Sequence, residues 1–195
     1  MPFILILLVF VIVVAFWVAG IYNFFASSKA RLKAAVQEIG NQLKRQADLI
    51  PNLEASVKGY MKHEKDVFEM LTDARKAVAG AVKSGNLQKM TEAGAKLNAV
   101  LPRLNIAVES NPELKSNEVV QSLMEELRDT ADKVMYARRL LIDLTADYNV
   151  RLATFPTNIV ANMFGFKEQP GLTTPDAGEF MNVSESDTRT PKVNL

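Results

Sequence analysis

Hydrophobic residues run without a break at the start of the chain and then become periodic. Met1 to Ile21 contains no charged side chain, no amide and no hydroxyl. At ~1.5 Å rise per residue this run predicts a helix of roughly 30 Å, the thickness of a bilayer's hydrocarbon core. A soluble core helix would carry a polar face, and this one has none. A cleaved signal peptide would need a basic residue ahead of a shorter apolar stretch, whereas the first Lys or Arg here is Lys29. From Leu32 a 4-3 repeat takes over: Leu32, Val36, Ile39, Leu43, Gln46, Ile50, Leu53, Val57, Tyr60, Glu64, Val67, Leu71, Ala74, Val78 and Ala81. A period of about 3.5 residues held this long predicts a long helix with a coiled-coil-like seam. Pro51 lies inside it and should bend or break the helix. Because the repeat keeps its phase across the proline, the pattern favours one kinked helix from Ser27 to Lys83 over two helices joined by a reversal.

Ser84-Gly85-Asn86 should stop that helix, with Gly85 as its C-terminal cap. A second series follows: Leu87, Met90, Gly94, Leu97, Leu101, Leu104 and Val108, with Pro102 suggesting a kink or restart near Val100. Asn111-Pro112 fits an N-cap followed by proline at the first helical position. A third series runs through Val120, Leu123, Leu127, Thr130, Val134, Ala137, Leu141, Leu144 and Tyr148, until Phe155-Pro156 interrupts it. The apolar segment Phe155–Phe166 predicts one or two further helical turns. From Lys167 onward Pro, Gly, Ser, Thr, Asn and Asp dominate, the composition of a disordered tail. No segment has the pattern of a strand. The expected fold class is therefore all-α: an anchor at residues 1–26, an antiparallel bundle of three long helices with a short fourth piece at 27–166, and a tail at 167–195.

Charge adds direction to this picture. Lys29, Arg31 and Lys33 follow the apolar run while no basic residue precedes it, so the positive-inside rule places the N-terminus outside and the helical domain in the cytoplasm. The same three side chains are candidate contacts for anionic lipid headgroups. A domain on the opposite side of the membrane is the alternative orientation. The net charge is +1, and the tail's five acids against three bases leave the rest mildly basic. That balance does not suggest nucleic-acid binding. The chain has no Cys and one His, which excludes disulfides and thiolate catalysis and leaves no pattern for a zinc site. His63-Glu64 is not an HExxH motif, since Val67 occupies the position of its second His. No cofactor, metal or catalytic group is expected.

Two places carry other candidate contacts. Arg45, Asp48 and Asn52 flank Pro51, where they are candidates to satisfy carbonyls freed by the proline or to form a partner site. Phe155, Phe164 and Phe166 either cap the bundle's core or touch the membrane or a neighbouring subunit. Burial of these rings within one subunit would support the cap. Arg139 and Asp143 stand at i, i+4 and are candidates for an ion pair.

Ordered blocks of residues then point to a family. Tyr22-Asn23 follows the anchor, and Gln42-Leu-Lys-Arg45, Asp48-Leu-Ile-Pro-Asn-Leu53, Val57-Lys-Gly-Tyr60 and His63-Glu64 come in order after it. Ala137-Arg138-Arg139, Tyr148-Asn149, Phe155-Pro156 and Phe164-Gly-Phe166 complete the set. The stretch from Tyr22 to Phe166 resembles the LemA family. The chain departs from the family pattern at Gly40, where an acid is common, at Gln46, where a second arginine is usual, and at Leu141-Ile142, where a Tyr-Asn pair is usual. The resemblance implies a bacterial membrane protein with one N-terminal span, a long helical bundle and no established enzymatic activity. One branch of that family includes magnetosome membrane proteins. Sequence and resemblance together lead to the expectation of a single-pass protein of the bacterial inner membrane that self-associates as a scaffold, with membrane lipid and further copies of itself as partners. The alternative is a cytoplasmic adaptor of another membrane protein, such as a quality-control protease or a signalling receptor.

Overall fold

The computed structural model describes residues 2–60 and 65–172. They form α1 (Pro2–Val57), α2 (Lys65–Ser84), α3 (Leu87–Glu109), α4 (Pro112–Lys115), α5 (Glu118–Ala153) and α6 (Thr157–Met163), with no strand among the described residues. Asparagines start three of these helices. Asn86 accepts from the Lys89 N–H, Asn111 from those of Glu113 and Leu114, and Asn117 from those of Val119 and Val120. Each satisfies donors that have no partner inside the helix. Gly85 adopts φ 63°, the left-handed conformation that ends α2.

The prolines act more gently than expected, and the first long helix is shorter. α1 passes through Pro51 and α3 through Pro102 without a break. Both prolines are exposed, so each removes a hydrogen bond where water can reach the freed carbonyl. The reversal that the repeat argued against does occur, but beyond the proline. α1 ends at Val57, and the Tyr60 N–H donates to the Val57 carbonyl. α2 then packs back along α1, with Thr72 donating to Glu54 across the pair. The connection from residue 58 to residue 64 is one heptad long, so the apolar phase survives a change of direction. Tyr60, expected in the seam, is exposed. The bundle therefore contains four long helices where three were expected.

Cross-contacts fix the layers. Arg45 pairs with Glu126, Gln46 with Leu127 and Phe25 with Tyr148, so α1 and α5 run antiparallel along most of their lengths. α3 runs parallel to α1: a Cβ at Gly40 would meet Met90 at 3.6 Å, and one at Gly94 would meet Leu43 at 3.1 Å. The α2–α3 hairpin thus ends near Gly40. Beyond that level the molecule is a four-helix bundle, and on the other side α1 and α5 continue as a two-helix stalk against which α6 and residues 166–172 pack. The core is continuous through both parts, from Phe25 and Tyr148 to Leu53, Leu71, Leu104 and Leu114.

The apolar start of α1 remains uncovered by the rest of the chain and is long and apolar enough to cross a membrane. It joins the stalk without a break, so residue 26, the expected edge of the anchor, lies inside a helix. At the other boundary the chain stays on the bundle past Phe166. The Asn149 side chain donates to the Gln169 carbonyl at 2.9 Å and accepts from its N–H at 3.0 Å, and Leu172 packs on the core. His63, Glu64 and the expected tail beyond residue 172 lie outside the described residues.

Candidate functional site

Most of the aromatic contacts gather where the stalk meets the apolar run. Tyr22, Phe24 and Phe25 come from α1, Tyr148 from α5, and Phe164 and Phe166 from the end of α6. Phe166 stacks on Phe25 with ring centres 5.0 Å apart, and Tyr148 meets the other ring of this pair edge-on at 5.2 Å. Tyr22 bridges to Phe164 at 5.0 Å and Phe166 at 5.6 Å. Offset and edge-on pairs of this kind are worth about 0.5–1.5 kcal/mol each beyond area burial. Two cations close the cluster: the Arg151 guanidinium lies 3.9 Å from the centre of the Phe24 ring, and the Lys29 ammonium 5.9 Å from that of Phe166. Tyr148 is fully buried, and its hydroxyl makes no close hydrogen bond, only a weak one with the Gln169 side chain. Burial pushes its pKa up, and the nearby Gln169 side chain partly offsets the rise.

The three phenylalanines of the 155–166 segment separate. Phe166 is half-buried and plugs the stalk, whereas Phe155 is 74% and Phe164 47% exposed. The capping role therefore falls to Phe166, with Val160 and Ala161 buried beneath it. Ile159 and Met163 form an outward apolar face of α6, and Phe155 is exposed in the turn before it.

The residues around Pro51 also separate. Arg45 points to α5, where its guanidinium donates to Glu126 Oε1 from Nε at 3.1 Å and from a terminal nitrogen at 2.5 Å. That carboxylate raises the Arg45 pKa. Asp48 and Pro51 instead line a groove of about 410 Å³ between α1 and α2, beside Lys44, Arg75 and Lys83. Asn52 faces solvent, and its carbonyl accepts the Ser56 hydroxyl at 2.8 Å. These four residues do not form one site. Lys29, Arg31 and Lys33 are all exposed. The ion pairs among the described residues are Arg45–Glu126, Asp73–Lys76 and Asp129–Lys133, and Arg139–Asp143 is not one of them.

Sequence reasoning missed the contact between Lys29 and Phe166 and the clamp of Asn149 on Gln169. The signals were present in Phe24-Phe25, two residues past the apolar run, and in the Tyr148-Asn149 block, but the partners lie far along the chain.

This arrangement defines a class: a membrane-associated, all-helical protein whose apolar helix continues into a bundle. Residues 35–186 match the sequence model of the LemA family, and the chain belongs to that family. It is similar to the magnetosome protein MamQ of Magnetospirillum gryphiswaldense, with 24% identity over 183 residues, covering 79% of this chain and 67% of that one.

Proposed function

We propose that this protein is a membrane-anchored scaffold that works by self-association, without catalytic chemistry. One observation carries the reading. In the stalk, where α2 and α3 do not reach, α5 exposes Tyr136 and Leu140, one turn apart on one flank, at 71% and 42%, while Met135 and Ile142 lie on the other flank, where Ile142 lines a groove with residues 168–172. The Tyr136–Leu140 flank, an aromatic and an aliphatic side chain open to water on a slender stalk, is suited to a cover, and a second copy held in the same plane is the nearest source. The anchor raises the effective concentration of copies, so weak contacts suffice. The absence of Lys or Arg before Lys29, against Lys29, Arg31 and Lys33 after it, supports a cytoplasmic domain at the bacterial inner membrane. The likeness to a magnetosome protein supports a role in organising membrane.

The test is the mass of the full-length protein in mild detergent, combined with crosslinking through single cysteines at positions 136 and 140 in native membranes. The expected result is an oligomer with self-crosslinks at both positions. A monomer at every concentration would sink the scaffold reading, and one dominant foreign partner would replace it with an adaptor.

A further inference from the structure

We infer that the outward apolar face of α6 rests in the headgroup layer of the membrane that α1 enters, giving the protein a second, in-plane contact with lipid beside its span. The inference rests on the anchoring reading.

Height is the first argument. Phe164 meets Tyr22, which directly follows the last residue of the apolar run. Ile21 is buried and Val18 packs on the core, although both belong to that run. The α6 end of the bundle therefore overlaps the last turn of the span. Any bilayer that covers the run from Phe3 also meets α6 at its surface.

Chemistry is the second argument. Thr154 to Phe166 carries no charged residue, so entry into the interface desolvates no ion. Ile159 and Met163, one turn apart on α6, are 59% and 64% exposed, Phe155 in the turn before α6 is 74% exposed, and Val160 and Ala161 are buried. Aromatic and apolar side chains on one side of a short helix, with bonded backbone on the other, suit the boundary between headgroups and acyl chains. Basic residues bracket the segment: Arg151 before it and Lys167 after it, with Lys29 alongside on α1. These charges match anionic headgroups. The exposed Tyr136 and Leu140 of α5 are nearer the bundle than Tyr148 and so stay below this layer.

The chain contains no cysteine, so single-cysteine reporters need no background removal. Ile159→Cys and Met163→Cys, both at exposed positions, would carry an environment-sensitive fluorophore in the full-length protein. The protein would sit in vesicles of phosphatidylcholine and phosphatidylglycerol. Phe10→Cys reports on the span, and Ser122→Cys on the far end of α5. Lipids spin-labelled at shallow and deep positions act as quenchers, and iodide probes water access. The expected result is loss of most fluorescence at 159 and 163 to the shallow label, loss at position 10 to the deep label, and iodide quenching alone at 122. Quenching at position 10 with iodide access at 159 and 163 would overturn the inference and leave the anchor standing. Blue-shifted emission at 159 and 163 without lipid quenching would overturn it in favour of a second copy on this face. Failure at position 10 as well would overturn the anchor and the inference together.

Discussion

Tyr148 shows how one residue can be right in size and wrong in chemistry. Its ring fills the stalk beside Phe25, but its hydroxyl is buried without a close hydrogen bond. An unsatisfied buried hydroxyl costs on the order of 1 kcal/mol or more. Tyr148→Phe should therefore keep the packing and raise stability by about 1 kcal/mol, read as a higher unfolding midpoint in detergent. The same burial raises the Tyr148 pKa, so the folded state holds its proton more tightly than the unfolded chain. Stability linked to this group is complete below the usual tyrosine pKa of about 10 and falls as pH rises from there through the raised value. The Phe variant should lose that part of the alkaline sensitivity, which a series of unfolding midpoints across alkaline pH would measure. Gln46 is the longest of the buried polar side chains besides Tyr148, the others being Ser28, Thr130 and Thr145. It is fully buried, and its amide donates to the Leu127 carbonyl at 3.3 Å while its own oxygen has no partner. Leu127 also accepts the Thr130 hydroxyl, so Gln46→Leu leaves no carbonyl orphaned and should be neutral or mildly stabilising. Gln46→Ala should cost about 2–4 kcal/mol through the cavity it leaves. Denaturant titration of the two variants separates the outcomes. Burial at position 46 was legible from the repeat, but its partner was not, because it lies 81 residues away on a helix whose register only the fold sets.

Glycines divide the helices into free and crowded stretches. Gly80 is exposed within α2, and a Cβ there meets nothing within 4 Å. Gly80→Ala should stabilise the protein by about 0.5–1 kcal/mol by restricting the unfolded chain. Gly94 is the opposite case, since its Cβ would come within 3.1 Å of Leu43, a fully buried side chain. Gly94→Val should push α3 off α1 and cost about 1–3 kcal/mol. Thermal unfolding of the two variants should move in opposite directions. Helix faces were the most legible feature of the sequence: Ile39, Leu43, Ile50, Leu53, Val67, Leu71, Leu97 and Leu127 are all buried as the periodicity required. The caps at Gly85 and Asn111 were equally plain, because they depend on local backbone chemistry. The direction of travel after Val57 was hidden, since apolar spacing records which face is buried and not which way the helix points. The prolines misled for a related reason: their cost depends on whether the freed carbonyl meets water, and exposure is a property of the fold.

The molecule as a whole divides into an apolar segment long enough to cross a membrane, a stalk and a four-helix head. The span could be read from composition alone, and the head from periodicity. The stalk could not, because it exists only where α2 and α3 turn back near Gly40. It is the stalk that leaves the α5 face open. Replacing Tyr136 and Leu140 with aspartate should lower the mass of the detergent-extracted protein without lowering its unfolding midpoint, since both residues are already exposed. The candidate site was half legible: the aromatic blocks stood out, while their convergence needed α5 to bring Tyr148 back beside Phe25. If the apolar start of α1 spans the membrane as proposed, one continuous helix from Pro2 to Val57 makes the protein a lever whose fulcrum is the membrane surface. The arm beyond Tyr22 is ~50 Å long at the usual rise per residue, so a change of 10° in the span's tilt, of the size that a thinner or thicker bilayer induces, sweeps its far end by about 9 Å. Variation in bilayer thickness would in this way become displacement of the head.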